Sequence, residues 1–358
     1  MKKISVGLAL VFAVLLVYVA INIINTAGLF TDIEAISANA CQRVDVFPGT
    51  EDVTIDPDTG IVFVSADDRR ANATEGGRRI PGGIYAFHID RPETVTKVSN
   101  DAPADFHPHG ISLWAGTSAE GADLKRLMVI NHAGSGDQIV EIFNVGASGE
   151  LTHVKSITFE QMHSPNDVVA VGPSAFYASN DRGYHTGLMA QLETYLSLPL
   201  SSAVYYDGDQ GNIAVEGLKF ANGINVSHDG ETVYIAEVMR QSIGVYQRDV
   251  ASGTLTHIKS ISLGTGPDNI EIAEDGMLWV ASHPRLFDFL AHAADENVNA
   301  PTQIQTINPL TDEVTDQIVL LDGEINAASV GAVYGDRVVI GAVFDGHVLV
   351  CKAPLEQD

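Results

Sequence analysis

From about residue 50 to the C-terminus, apolar positions fall in short β-branched and aromatic runs separated by turn residues, not at a helical spacing. Examples are Gly60–Ala66 (GIVFVSA), Gly83–Ile89 (GIYAFHI), Leu127–Asn131 (LMVIN), Gln138–Val145 (QIVEIFNV) and Val338–Phe344 (VVIGAVF). Turn signals intervene at Asp58-Thr59-Gly60, Asp229-Gly230, Asp275-Gly276 and Asp345-Gly346. Past residue 32 only Met189–Leu200 has a helix-like period. The pattern predicts an all-β fold.

Internal repetition narrows the architecture. Leu151–Ile157 reads LTHVKSI and Leu255–Ile261 reads LTHIKSI, 104 residues later. A second phrase sets a polar opening before an apolar strand, a turn and another apolar strand. It occurs at Asn166-Asp167, at Asn222-Gly223 and at Asp268-Asn269. Adding Glu51-Asp52 and His109-Gly110 puts openings at 51, 109, 166, 222 and 269, with Ala328-Ser329-Val330 one interval further on. Units of this length, each of four strands, predict a six-bladed β-propeller over residues 32–358. Its two chain ends would share one blade.

The N-terminal segment is of another kind. Lys2 and Lys3 precede Ile4–Ile24, 21 residues without a charge, about what a helix needs to cross the ~30 Å of bilayer hydrocarbon. Ala38-Asn39-Ala40 has the form of a cleavage site but stands far beyond the apolar core. Residues 1–31 therefore read as an uncleaved signal anchor with the body outside the cytoplasm, periplasmic or extracellular, and a cleaved signal peptide is the alternative. In an exported chain Cys41 and Cys351, one at each end of the body, read as a disulfide; two unrelated buried thiols are the alternative. Closing so long a loop removes about 5 kcal/mol of unfolded-state entropy.

Composition bounds the partners. Of 358 residues, 20 are Lys or Arg and 46 Asp or Glu, a net charge of −26, so a nucleic acid would be repelled. The 45% of hydrophobic residues can fill a large core. The chain has no G-x-S-x-G, no phosphate-binding G-x-x-x-x-G-K-[ST], no H-E-x-x-H and no C-x-x-C. Asp207-Gly208-Asp209 begins like an EF-hand loop, but Leu218 occupies its twelfth position. Asn72-Ala73-Thr74 and Asn225-Val226-Ser227 have the form of glycosylation sequons, the first expected to be accessible and the second internal.

In a propeller the innermost strands begin near the central channel, so equivalent blade openings converge. Here they carry Glu51, Asp52, His109, Asn166, Asp167, Asn222, Asp268 and Asn269. That oxygen-rich, thiol-free set suits Ca²⁺, although Asn and Asp also start turns for purely local reasons. Successive strand residues point to different places, which allows a second, deeper cation site of Asp52, Asp167 and the main-chain carbonyl of Ile111.

These residues are familiar. Thr50-Glu51-Asp52, His107-Pro108-His109-Gly110-Ile111-Ser112, Val129-Ile130-Asn131-His132, Asn166 to Pro173, Phe220 to Asn225, Tyr234 to Glu237, Asp268-Asn269-Ile270 and Ser282-His283-Pro284, in this order between the two cysteines, resemble the serum paraoxonase/arylesterase family. The resemblance implies a six-bladed propeller holding two calcium ions. It assigns a catalytic calcium to Glu51, Asn166, Asn222, Asp268 and Asn269, and a structural one to Asp52, Asp167 and the Ile111 carbonyl. It also implies a retained N-terminal hydrophobic helix. The sequence departs from better-known members at Ser282, where a cysteine is frequent, and at Arg182, where a histidine is common.

The activity expected is that of a calcium-dependent lactonase and arylesterase, promiscuous toward organophosphates as in relatives. Lipophilic lactones, N-acyl homoserine lactones among them, are the expected substrates, with His109 taking a proton from water and His132 orienting it. The alternatives are a gluconolactonase-like sugar lactonase and a non-enzymatic ligand-binding propeller with structural calcium. The Arg-rich stretch Asp67–Gly83 reads as a mobile loop over the channel mouth, meeting substrate, membrane or only solvent. Expected partners are thus a small lactone or ester and a membrane, with no nucleic acid; the sequence leaves the oligomeric state open.

Overall fold

The computed structural model describes residues 2–73, 79–118, 121–184 and 187–354. Its 24 strands form six sheets of four antiparallel strands arranged as a six-bladed β-propeller, as the repeat predicted. The blades comprise β2–β5 (residues 52–97), β6–β9 (108–157), β10–β13 (165–218), β14–β17 (221–262) and β18–β21 (266–320). The last blade joins β22–β24 (328–352) to β1 (Asn39–Asp45) from the other end of the chain. The two near-identical heptads are β9 and most of β17, the outermost strands of the second and fourth blades.

Each blade packs on the next through apolar faces. Val53, Val62 and Val64 of the first blade meet Val330 and Val339 of the sixth, while Met128 and Ile130 of the second meet Val168 and Ala178 of the third. The ring closes where β1 pairs with β24, and Cys41 and Cys351 on those two strands form a disulfide across 310 residues.

Three helices stand on or beside the ring. α1 (Lys2–Thr26) covers the N-terminal apolar run, and α3 (Gly187–Leu196) lies within the predicted helical stretch. α4 (Leu286–Ala294) follows β19. Asn22 of α1 donates to Ser197 Oγ at 3.0 Å, and Leu286 N–H to the Ala27 carbonyl at 3.0 Å, which docks the end of α1 between α3 and α4. The side chains of residues 1–9, 11, 12 and 15 lie outside the described residues, and among those described no helix is long and apolar enough to cross a membrane.

The Arg-rich stretch differs from the mobile loop expected of it. A short helix, α2 (Arg69–Ala73), opens it, and Arg69 and Arg70 are anchored in the body; residues 74–78 lie outside the described residues. Asn72 is half-buried rather than open for modification. Its amide donates to both oxygens of Asp67 and to the Ile80 carbonyl, while its Oδ1 accepts the Ile80 N–H.

Because the bridge joins the two ends of one blade, reducing it frees the closing strand without cutting any other blade. Thermal unfolding of Cys41→Ser, or of the protein under reductant, should show a loss of about 2–5 kcal/mol. An unchanged midpoint would mean that strand pairing alone closes the ring.

Candidate metal and catalytic centre at the propeller hub

Each inner strand delivers its first residues to the channel, and five blade openings touch in a closed circuit. His109 Nε2 lies 3.2 Å from Glu51 Oε1. Gly110 lies against the backbone of Asn166 and Asp167, and Asp167 Oδ2 accepts the Ile224 N–H at 2.8 Å. Gly223 abuts Asp268 and Asn269, and Asn269 Nδ2 returns to Glu51 Oε1 at 3.4 Å. From the sixth blade Ser329 Oγ donates to the Glu51 carbonyl at 2.5 Å. Two of these approaches require glycine, since a Cβ on Gly110 would sit 2.4 Å from Asp167 Oδ1 and one on Gly223 2.5 Å from the Asp268 carbonyl.

Four side-chain oxygens in this circuit are buried without a hydrogen-bond donor: Glu51 Oε2, Asn166 Oδ1, Asn222 Oδ1 and Asn269 Oδ1. Their residues come from four different blades. Leaving one such acceptor bare costs about 1–3 kcal/mol. A cation or ordered water at the axis would satisfy them together. Oxygen donors alone, most of them carboxamides, fit a hard cation such as Ca²⁺. The carboxamide share also explains why, among the described residues, no three His, Cys, Asp or Glu side chains make a metal cage on their own.

The charged neighbours sharpen this. Burial alone would raise the Glu51 carboxyl, yet the His109 ring and the Arg69 guanidinium hold it at about 2. Asp268 accepts from His283 Nε2 at 2.8 Å, and burial still pushes its carboxyl up. Deeper in the channel Asp52 accepts the N–H groups of Val53 and Ile111 at 2.9 and 2.6 Å, and Asp167 those of Val168 and Ile224 at 2.7 and 2.8 Å. Burial pushes both carboxyls well up, and the charges of Asp167 and Glu51 push Asp52 further. The Ile111 main chain thus meets Asp52, through its N–H.

Beside Glu51 lies a relay. Gln138 Nε2 donates to the Gly136 carbonyl at 3.3 Å, which turns Gln138 Oε1 toward His132. His132 Nδ1–H donates to that oxygen at 2.6 Å, so His132 Nε2 accepts from His109 Nδ1–H at 2.7 Å. Burial and the adjacent His109 hold His132 down at about 3, hence neutral. The Nε2 of His109 points to the oxygen cluster, where its partner is Glu51 Oε1.

The profile of the arylesterase family matches residues 32–353. The chain belongs to this family. It is 34% identical to human serum paraoxonase/arylesterase 1 over 314 residues, covering 85% of this chain and 86% of the relative. It is 30% identical to human serum paraoxonase/arylesterase 2, covering 98% and 99%. Among solved structures, a gluconolactonase from Xanthomonas campestris shares the fold at 15% identity, with a TM-score of 0.54 over 90% of this chain and 99% of that one.

Ser282 and Arg182 are each held by local contacts. Ser282 is buried inside the fifth blade and donates to Gln305 Oε1 at 3.1 Å, away from the channel. Arg182 stacks its guanidinium 5.2 Å over the Phe220 ring, and Phe220 takes a left-handed φ of 57° just before the opening that carries Asn222. The EF-hand-like Asp207 caps its own turn by accepting the N–H groups of Asp209 and Gln210. The Asn225 amide donates to the Ile270 carbonyl at 2.7 Å.

Sequence reasoning did not single out Arg69 or Gln138. Arg69 Nη1 donates to the carbonyls of Gly49 and Asp67, and Nη2 stands 3.5 Å from Glu51 Oε2; only the return of the chain after β3 (Ile61–Ala66) puts it there. Gln138 had a legible signal. It is the cross-strand partner of His132 in the β7–β8 hairpin, so counting the register across the turn would have paired the two.

Gly110→Ala should cost about 1–3 kcal/mol by forcing the second blade off Asp167. Denaturant unfolding of the variant checks this, and wild-type stability would show the approach of the two strands to be loose.

Proposed function

We propose that this arylesterase is a calcium-dependent hydrolase that opens lipophilic lactones, N-acyl homoserine lactones among them, and cleaves aryl esters. Promiscuous organophosphate hydrolysis belongs to the same reading. The observation that carries it is the set of four buried oxygens without a hydrogen-bond donor, beside a histidine whose Nε2 meets Glu51. Family membership makes the chain a carboxylic ester hydrolase. Calcium and the substrate class are the finer claims.

Glu51, Asn166, Asn222, Asp268 and Asn269 would hold the catalytic calcium, and Asp52, Asp167 and the Ile111 carbonyl the structural one. Calcium held by the first set supplies Lewis-acid polarisation of the ester carbonyl. The protein's own part is proton handling. Gln138 fixes the His132 tautomer, and His132 fixes the proton of His109 on Nδ1. His109 Nε2 is then the base. It takes a proton from water as the hydroxide oxygen bonds to the carbonyl carbon, and returns the proton to the departing alkoxide when the carbon–oxygen bond breaks. His132 stays neutral throughout and works by position. Arg79 supports it by donating to its carbonyl at 3.1 Å.

The location proposed is extracytoplasmic, which the Cys41–Cys351 disulfide supports. Attachment to a membrane surface is supported by exposed apolar side chains on the three docked helices: Leu10, Val14 and Val17 on α1, Leu188 and Tyr195 on α3, and Leu290 on α4.

Chelator treatment should abolish lactone and aryl-ester turnover, with recovery on adding Ca²⁺. His109→Gln should lower lactone kcat by about 100-fold or more. Full turnover in chelator, or near-normal kcat in the variant, would overturn the reading. His132 makes a separate prediction about stability. Folded, it resists protonation down to about pH 3, whereas unfolded it takes a proton near 6.5. The unfolded state therefore binds more protons in that window, and the stability tied to neutral His132 is lost as pH falls through it. His132→Gln should show a shallower decline of Tm with falling pH than wild type; parallel curves would mean that His132 is not held neutral.

A further inference from the structure

Below the oxygen cluster, on the side away from His109 and His132, the channel opens into a cavity of about 120 Å³. Asp52, Asp167 and Asn269 line it, and so does Glu271. Along the inner strand of the fifth blade, Asn269 and Glu271 are two residues apart, so both side chains turn to the channel. At the corresponding level on three other blades the lining residues are Thr54, Ser112 and Asn225. Glu271 is thus the charged side chain of that level.

Among the described residues it forms no ion pair. His228 lines the same cavity, but its Nε2–H donates to the Ala273 carbonyl at 3.0 Å. Asn269 points into this space too; it is 2% exposed and its Oδ1 has no partner. Asp52 and Asp167, with Glu271 further along the same cavity and no protein cation lining it among the described residues, leave room for a divalent ion and its water.

We propose that Glu271 is a further anionic ligand of the deeper cation, directly or through one water, carried on the face of the channel opposite the catalytic histidines. This rests on the two-calcium reading above. It adds to Asp52 and Asp167 a carboxylate at the far end of the channel, so the deeper ion is bound and exchanged from that end without passing His109.

The test is calorimetric titration of Ca²⁺ into the chelator-stripped full chain, comparing wild type, Glu271→Gln and Glu271→Asp. Two sites are expected in wild type. In Glu271→Gln one of the two dissociation constants should rise by about 10-fold or more, with the other nearly unchanged, and Glu271→Asp should fall between. Wild-type constants in Glu271→Gln overturn the proposal. If that variant unfolds when stripped, its gain in Tm on adding Ca²⁺ decides instead: a smaller gain than wild type supports the role, an equal gain refutes it. A wild type that binds no Ca²⁺ at all would sink the calcium reading itself, a result distinct from a wild type with two sites and an indifferent Glu271.

Discussion

Like charge concentrated at the axis is the constraint on which the rest of this structure depends. Glu51, Asp52, Asp167, Asp268 and Glu271 surround one channel, while a single guanidinium, that of Arg69, lies beside them. Repulsion among buried carboxylates of this kind would spread the blades or neutralise the acids. Burial pushes the Asp52, Asp167, Asp268 and Glu271 carboxyls up, and neighbouring carboxylates add to it. Two divalent cations and Arg69 would balance the five carboxylates. Cation binding and integrity of the hub would then be one property.

The outer parts of the fold act as restraints on this hub. Apolar faces between blades set the ring's circumference, and the β1–β24 pairing with its disulfide stops it from opening. Small residues then let neighbouring openings approach: Gly110 against Asp167, Gly223 against Asp268 and Gly341 against the Thr50 carbonyl. Main-chain N–H groups of Ile111 and Ile224 reach across to carboxylates of the preceding blade. Each such bond ties a ligand position to the strand beside it, so the site does not depend on loops for its shape.

The histidine pair is built on a different element. The His109–His132–Gln138 relay hangs on the second blade alone, ordered by a hairpin register and a turn carbonyl. The histidine pair meets the oxygen cluster at His109 Nε2, 3.2 Å from Glu51 Oε1. The relay's direction follows from elementary bonding: an amide oxygen only accepts, so each histidine in turn has its proton placed for it.

How much of this was legible in the chain follows from the range of the interactions. Strand alternation is a local property, and a propeller repeats one local unit, so the runs and turns along the chain were enough for the fold class, the blade number and the two ends that meet. The polar openings were legible for the same reason, being equivalent positions of a repeat. Arg69 was not, because its place beside Glu51 depends on how the chain returns after β3. Asn72 was misjudged as accessible, since nothing in a sequon reveals that its amide will bridge Asp67 and Ile80. The tautomers of His109 and His132, the bare oxygens and the cavity beneath them are differences of an ångström or two. Only packing the six blades around one axis decides those, since they depend on which atoms find a partner once every blade is in place.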